Sequence, residues 1–332
     1  MNLLIVSKGG VKRQFDKYVI EKFNLDKESI LKIEVENYPD SSKLVTLINS
    51  LNSRNITSIY AIGGGSVIDI SKVLSVFLQT RSKISIYNLK NFGKLNHKNK
   101  IPLFVIPTTS GTGAEVTQFA TIWDNVLNEK FSIDHPLLIP NQYHLDGNLL
   151  NHLSFKNFLF PALDCISHIL ESIWNKNRTK ESLEFSTKAL DKISNEIKNF
   201  SNEKYKYINF DEMLQASNLA GKAINITRTS IAHAISYVYT INFKVPHGLA
   251  CSFTLPKIHE YVFNELQDNL YIDVINNYLN VINFLETFNF KNYLYDFTKG
   301  NMIDLNKENL NTTRSSTFLT QLNKEILLKF NS

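Results

Sequence analysis

Short apolar runs rich in β-branched residues alternate with longer mixed segments over roughly the first 150 residues. These runs lie at 3–7, 30–36, 58–64 and 103–109. The intervening segments, such as 41–54 and 66–80, place apolar residues three and four positions apart, as in a helix that covers one face of a sheet. The alternation predicts an α/β domain with a parallel sheet, an architecture typical of nucleotide-binding domains.

Glycine and proline then become sparse, and long amphipathic segments predominate, at 183–199, 212–241 and 270–289. These segments predict an all-α C-terminal domain. A chain of 332 residues exceeds the usual size of one hydrophobic core. We therefore expect an α/β domain at 1–150 and a helical domain at 151–332, with a loop at 300–316.

Composition narrows the class of protein. Hydrophobic residues make up 43% and charged residues 20%, which is typical of a globular chain and excludes intrinsic disorder. The net charge of +5 is scattered without a basic block, so we expect no nucleic-acid partner and a mild preference for anionic ligands. Cys165 and Cys251 form no C-x-x-C pair, and no apolar run is long enough to cross a bilayer. We expect a cytoplasmic protein with no membrane partner.

Two polar, glycine-containing segments follow predicted strands. Gly63, Gly64 and Gly65 end one strand, and a helix begins at Ser66; the next strand ends in PTTSGTGAEVT, at 107–117. Glycines let a backbone approach a pyrophosphate, and a helix N-terminus offers free N–H groups and partial positive charge. Two such loops at adjacent strand ends favour a dinucleotide, although the pattern is not G-x-G-x-x-G. A tight strand-to-helix turn without a ligand is the alternative.

Four residues have a spacing that suits a metal ion. Asp164 and His168 are four apart in a predicted helix and so project from one face. His233 lies in an apolar helix, and His247 follows a proline where another helix should begin. One carboxylate and three imidazoles suit Fe(II) or Zn(II). For the first pair taken alone, a capping or surface aspartate beside a satisfied core histidine is the alternative.

The segments GGGSVIDISK, PTTSGTGAEVT, DCISH and AHAISYVYTINFKVPHG resemble, in order and interval, the signature stretches of the iron-containing alcohol dehydrogenases. The resemblance implies a dehydroquinate synthase-like fold, a homodimer, and a helical domain that binds metal and substrate. It assigns the metal to Asp164, His168, His233 and His247. It also assigns contacts with NAD(H) or NADP(H) to one set of residues: Gly64, Gly65, Ser66, Thr108, Thr109, Thr112 and Lys130.

Other segments, QFATIWD, SIWNKN, TRTSIAHAISY and PHGLACSFTLP, resemble the phosphonoacetaldehyde reductase branch of that family. Arg228 lies five positions before His233, and we expect both on one helix, from which the guanidinium could reach a phosphonate. An arginine paired with a carboxylate at the domain boundary is the alternative. Thr227 and Thr229 could add hydroxyl donors.

The resemblance is incomplete at two positions. Where relatives often carry an aspartate that repels a 2′-phosphate, this chain has Ser7 and Lys8, so either nicotinamide cofactor is permitted. Where many relatives carry a second histidine, this chain has Tyr237, a candidate proton donor.

The expected reaction is hydride transfer from a nicotinamide to a small anionic aldehyde, with the metal as Lewis acid. The main alternative is a general short-chain alcohol or polyol dehydrogenase of the same family, with an uncharged pocket. Dehydroquinate synthase-type chemistry and a non-catalytic binding protein are weaker alternatives.

Overall fold

A computed structural model describes residues 1–36, 40–95, 97–266, 275–305, 310 and 312–319. The chain forms two compact units. The first consists of Met1–Thr109 and Ala114–Asp146, and the second of Ser110–Gly113 and Gly147–Ser332. The short segment Ser110–Gly113 thus belongs to the second unit, although it lies within the predicted α/β region.

The first unit is built on a five-stranded parallel sheet. The predicted α/β class is confirmed. In order across the sheet, its strands are β2 (Ile30–Val35), β1 (Asn2–Ser7), β3 (Ser58–Gly63), β4 (Leu103–Pro107) and β7 (Gln142–Tyr143). The helices of the unit are α1 (Lys8–Lys12), α2 (Phe15–Lys22), α3 (Ser41–Leu51), α4 (Gly65–Thr80) and α5 (Ile86–Lys90).

Both faces of the central strands are covered by apolar side chains. Ile59 and Ala61 of β3 belong to the buried cluster that includes residues of α3 and α4. The alternate residue of β3, Tyr60, instead stacks on Phe104 of β4, with ring centroids 5.0 Å apart, and both pack against Phe23. Burial on both faces explains why these strands are continuous apolar runs rather than alternating ones.

A β-hairpin that the sequence patterns did not predict follows the fourth sheet strand. Its strands β5 (Phe119–Asp124) and β6 (Glu129–Asp134) pair antiparallel. The fully buried Lys72 of α4 anchors it, because its Nζ donates to the carbonyl oxygen of Phe119 over 2.7 Å and to Thr117 Oγ1 over 3.0 Å. Burial lowers the pKa of Lys72 to about 8. This hairpin depends on long-range contacts, which local patterns do not reveal.

The described part of the second unit contains helices and no strand. The all-α prediction is therefore confirmed over those residues. The helices are α6 (Phe155–Ile173), α7 (Lys180–Glu196), α8 (Phe210–Thr227), α9 (Ile231–Phe243), α10 (His247–Ser252), α11 (Leu255–Leu266), α12 (Ile275–Thr287), α13 (Phe290–Thr298) and α14 (Thr312–Ser315). Among the described residues, no helix has the length and hydropathy needed to span a membrane.

Three predicted segments of this unit either differ from the structure or lie partly outside the described residues. The segment 212–241 is two helices, because α8 ends at Thr227 and α9 begins at Ile231. The segment 270–289 is helical from Ile275 onward, and 270–274 lie outside the described residues. The predicted loop at 300–316 contains the short helix α14, and parts of it also lie outside the described residues.

A close approach of two backbones positions α10. A Cβ atom built on Gly248 would overlap the carbonyl oxygen of Phe160 in α6. Only glycine therefore allows α10 to lie this close to α6. The neighbouring residue in sequence, His247, is thereby held beside the face of α6 that carries Asp164.

We expect Gly248→Ala to lower the free energy of unfolding by about 1–3 kcal/mol, because the added methyl group must push the two helices apart. Chemical denaturation measures the change. Gly93→Ala is the matched control, since a Cβ at Gly93 meets no atom within 4 Å. Equal stability of the two variants would contradict this account of the helix contact.

Candidate metal centre

Four side chains that the sequence singled out meet in the second unit. They come from three helices, with Asp164 and His168 on α6, His233 on α9 and His247 at the start of α10. The Oδ1 atom of Asp164 lies 3.6, 3.5 and 3.9 Å from the Nε2 atoms of the three histidines His168, His233 and His247. The helical spacing on α6 thus brings its two members to one point, as expected for residues four apart.

Two of the imidazoles are oriented through their other ring nitrogen. His168 Nδ1 donates to the carbonyl oxygen of Gly111 over 3.2 Å. His233 Nδ1 donates to the buried carboxylate of Glu171 over 2.5 Å. In its neutral form, each ring therefore presents the lone pair of Nε2 to the centre of the cluster. The two Nε2 atoms lie 3.1 Å apart, within hydrogen-bond distance, so the metal-free cluster holds a proton between them that a bound cation would replace.

The electrostatics of this cluster fit a divalent cation. Asp164 is buried, and its Oδ1 atom has no hydrogen-bond partner among the described residues. Burial by itself would raise the pKa of Asp164, but the surrounding histidines lower it below the ordinary range. Burial also lowers the pKa of His168, which favours the neutral imidazole that a metal requires. Burial by itself would lower the pKa of His233, but Cys251, Glu171 and Asp164 raise it well above its ordinary value, so His233 carries a proton that a bound metal ion would displace. An ion at this point would also compensate the buried Asp164 oxygen.

Two participants were missed by the sequence patterns. Glu171 follows His168 by three positions on α6, so Asp164, His168 and Glu171 share one helix face; that spacing was the available signal. Its second oxygen, Oε1, accepts the backbone N–H of His233 over 3.2 Å. Cys251 is the other, with its Sγ atom 3.6 Å from His247 Nε2. Cys251 follows His247 by four positions on α10, the same spacing as Asp164 and His168, and that spacing was the available signal.

The two glycine-containing loops lie at adjacent strand ends in the first unit. Gly63 of β3 is in register with Pro107 of β4, and the N–H of Thr108 donates to the carbonyl oxygen of Gly63 over 3.0 Å. A Cβ on Gly64 would lie 3.3 Å from Thr109 Oγ1. Gly64 caps the sixteen-residue helix α4 and, as a glycine, has no side chain that could accept from its first N–H groups. The N-terminus of α4, with Gly65 and Ser66, is therefore available to an anion.

Two further residues assigned to the cofactor, Thr112 and Lys130, lie in different units of the chain. Gly111 and Gly113 flank Thr112, and a Cβ on either would overlap backbone atoms of Pro161 in α6 or Gly221 in α8, respectively. Helix packing within the second unit thus explains both glycines without a phosphate. In the first unit, Lys130 lies on β6 with its Nζ 5.4 Å from the centroid of the Trp123 ring.

Arg228 does not share a helix with His233, contrary to the expectation. It caps α8 with φ 69° and ψ 169°, a region that only glycine adopts readily. Its carbonyl oxygen accepts from Asn175 Nδ2 over 3.2 Å and from Thr227 Oγ1 over 2.9 Å, and both of these residues are buried. Its guanidinium donates to the carbonyl oxygen of Asn225.

A second arginine that the sequence patterns did not indicate lies near Tyr237. The guanidinium carbon of Arg314 is 4.8 Å from the centroid of the Tyr237 ring. Arg314 also donates to the hydroxyl of Thr229. The Tyr237 ring centroid is in turn 6.4 Å from that of His247. Tyr237 and Arg314 are thus neighbours of the metal-binding cluster on its α9 side.

We expect Glu171→Gln to raise the dissociation constant for Zn²⁺ about 10- to 100-fold, because the amide orients His233 less firmly and removes a negative charge close to the cation. Competition with a chromophoric chelator measures the constant. Glu184→Gln, on an exposed carboxylate paired with Lys188, is the control and should bind Zn²⁺ like the unmodified chain. A Glu171 variant with unchanged affinity would show that Glu171 does not support the site.

Comparison with known proteins places the chain in a family. Residues 1–146 match the family model described as iron-containing alcohol dehydrogenase, and residues 160–285 match that of the C-terminal part of Fe-containing alcohol dehydrogenases. A phosphonoacetaldehyde reductase from Streptomyces viridochromogenes is 28% identical over 67% of this chain and 57% of its own length. A 4-hydroxybutyrate dehydrogenase from Clostridium kluyveri is 28% identical over 70% of this chain and 62% of its own length.

The fold has a close counterpart among solved structures. The crystal structure of a sulfoacetaldehyde reductase from Bifidobacterium kashiwanohense in complex with NAD⁺ matches with a TM-score of 0.78 and 19% identity. The match covers 98% of this chain and 88% of the reductase chain. The chain spans less than two thirds of the curated relatives named above. The two family models together cover most of its residues in the expected order. The chain belongs to the iron-containing alcohol dehydrogenase family.

Proposed function

We propose that this chain is a metal-dependent, NAD(P)H-linked reductase of a small anionic aldehyde, with phosphonoacetaldehyde as substrate and 2-hydroxyethylphosphonate as product. The main observation in favour of an anionic substrate is the strained backbone of Arg228, next to the proposed metal-binding helix α9. The names of the relatives support it, since phosphonoacetaldehyde, 4-hydroxybutyrate and sulfoacetaldehyde each carry a terminal anion.

The metal site is proposed to consist of Asp164, His168, His233 and His247. A bound Fe(II) or Zn(II) ion would supply Lewis acidity toward the carbonyl oxygen of the aldehyde. The carboxylate of Glu171 and the carbonyl of Gly111 hold two of the imidazoles with their Nε2 lone pairs inward. These contacts fix the donor atoms before any ligand arrives, so little reorganisation accompanies binding.

The pyrophosphate of the nicotinamide cofactor is proposed to bind at the N-terminus of α4. Gly64, Gly65 and Ser66 present uncapped N–H groups there, and a side chain at Gly64 would meet Thr109. Thr108, Thr112 and Lys130 are proposed to complete the contacts with the cofactor.

The conformation of Arg228 supports a role in binding the substrate. A non-glycine residue at φ 69° and ψ 169° costs on the order of 1–3 kcal/mol and persists only where surrounding bonds impose it. Two buried side chains, Asn175 and Thr227, hold its carbonyl oxygen and thereby impose it. Glycine would fit this position without strain, so the guanidinium itself offers a reason for arginine. A planar guanidinium suits a phosphonate through paired hydrogen bonds.

The two segments that resemble the phosphonoacetaldehyde reductase branch meet at this junction. Asn175 and Asn177 of SIWNKN donate to the carbonyl oxygens of Arg228 and Thr227, respectively, in TRTSIAHAISY. The two segments that resemble this branch are thus held together by hydrogen bonds at one junction. Arg314 adds positive charge on the Tyr237 side, and Tyr237 is proposed to donate the proton that the developing alkoxide requires.

We expect Gly65→Val to raise the KM for the nicotinamide cofactor steeply, at least about tenfold, because its side chain would fill the space that the pyrophosphate needs. Steady-state kinetics at saturating aldehyde measure the change. Gly93→Val is the control, at a glycine with open space around its Cα. An unchanged cofactor KM would place the pyrophosphate elsewhere.

The substrate proposal is tested by Arg228→Gly, assayed with phosphonoacetaldehyde and with an uncharged aldehyde of similar length. A lost hydrogen bond to a charged group is worth about 1.5–3 kcal/mol, so kcat/KM for phosphonoacetaldehyde should fall roughly 10- to 150-fold. Turnover of the uncharged aldehyde should stay nearly the same, because it makes no such contact. Arg228→Lys should restore part of the loss, since lysine keeps the charge without the planar fork.

Glycine is chosen at this position because it removes the guanidinium and relieves the backbone strain together, and because the lost bond to the carbonyl oxygen of Asn225 would affect both aldehydes alike. Arg54→Ala removes one positive charge from an exposed site in the first unit and controls for net charge. Equal losses for both aldehydes would assign Arg228 a structural role. An unmodified chain that prefers the uncharged aldehyde would favour the general alcohol dehydrogenase instead.

A further inference from the structure

A sulfur atom lies among the proposed metal ligands. Cys251 follows His247 by one turn of α10, is fully buried, and has its Sγ atom 3.6 Å from both ring nitrogens of that histidine. Donor atoms of Asp164, His233, His247 and Cys251 all lie within 4.8 Å of one another, a group that does not include His168. Two ligands on opposite sides of one zinc ion are about 4.4 Å apart, given bonds of about 2.1 Å to nitrogen and 2.3 Å to sulfur. The sulfur is therefore within reach of the same ion after a small adjustment.

The position of the sulfur is fixed by packing and hydrogen bonding around α10. The carbonyl oxygen of Cys251 accepts from Ser167 Oγ of α6 over 3.3 Å. Ser252 Oγ donates to the carbonyl oxygen of Leu163, also on α6, over 2.8 Å. Together with the close approach at Gly248, these bonds hold α10 against the helix that carries Asp164. Asp164 Oδ1, buried and without a hydrogen bond among the described residues, faces the same point.

We propose that the Cys251 thiolate is a ligand of the resting metal ion, in addition to the aspartate and the three histidines. This inference rests on the proposed metal site. Coordination forms one sulfur–metal bond, and the thiol proton passes to solvent. A thiolate is a soft donor, so it would favour Zn²⁺ and Co²⁺ over Mg²⁺ and Mn²⁺. Together with Asp164, it would also neutralise the two charges of the ion and weaken its Lewis acidity.

The test uses the full chain loaded with Co²⁺, without substrate or cofactor. A thiolate ligand produces a sulfur-to-cobalt charge-transfer band in the near ultraviolet, whereas oxygen and nitrogen ligands leave only the weak visible bands of the ion. We expect this band in the unmodified chain. It should be lost in Cys251→Ala, which keeps the visible bands because the other four ligands remain.

Cys165→Ala is the matched control. Cys165 is also buried and follows Asp164 directly on α6, but it does not belong to the group of converging donor atoms. Its variant should keep the ultraviolet band. A band that persists in Cys251→Ala, or bound cobalt without the band in the unmodified chain, would overturn the proposal while leaving the four-ligand site intact. A chain that binds no cobalt would overturn both.

X-ray absorption of the unmodified chain with Zn²⁺ provides a test that needs no variant. A sulfur shell at about 2.3 Å is expected beside the nitrogen and oxygen shell at about 2.0–2.1 Å. A spectrum fitted by nitrogen and oxygen alone would exclude Cys251 as a ligand, even if Cys251→Ala failed to fold.

Discussion

Two imidazole nitrogens, the Nε2 atoms of His168 and His233, lie 3.1 Å apart in the helical unit, beside a buried carboxylate oxygen with no hydrogen bond among the described residues. Such an arrangement is stable only with a proton or a metal ion between the groups. Because the carbonyl of Gly111 and the carboxylate of Glu171 bind the other nitrogens of these rings, both Nε2 atoms stay directed at this point. A metal ion can therefore bind there by displacing a proton, with little movement of the side chains.

The helices around this point are arranged so that the donor atoms meet. The absence of a side chain at Gly248 lets α10 lie against α6, and the bond from Ser252 to Leu163 fixes that contact. Glu171 links α6 to α9 through both the ring and the backbone of His233. In the first unit, strands β3 and β4 end side by side, which brings the two glycine-containing loops to one edge of the sheet.

The sequence patterns predicted the elements and site residues that depend on the spacing of residues along the chain. They did not predict the elements that depend on hydrogen bonds between distant residues. The strands and the pair Asp164 and His168 follow from periodicity, which survives without knowledge of the fold. The break between α8 and α9 could not be predicted from periodicity, because no glycine or proline marks it. A hydrogen bond from Asn175 holds Arg228 in a backbone conformation that arginine rarely adopts. The hairpin β5–β6 likewise depends on the buried Lys72, 47 residues before the group it binds.

The metal content of the chain tests the central claim most directly. Protein loaded with Zn²⁺ and freed of unbound ion should retain about one ion per chain by mass spectrometry, and Asp164→Ala should retain almost none, because the carboxylate is the only fixed negative charge among the four proposed ligands. Asp211→Ala, at a carboxylate that caps the N–H of Gly147 instead, should retain the ion. An unmodified chain that keeps no zinc, or an Asp164 variant that keeps a full equivalent, would contradict the account.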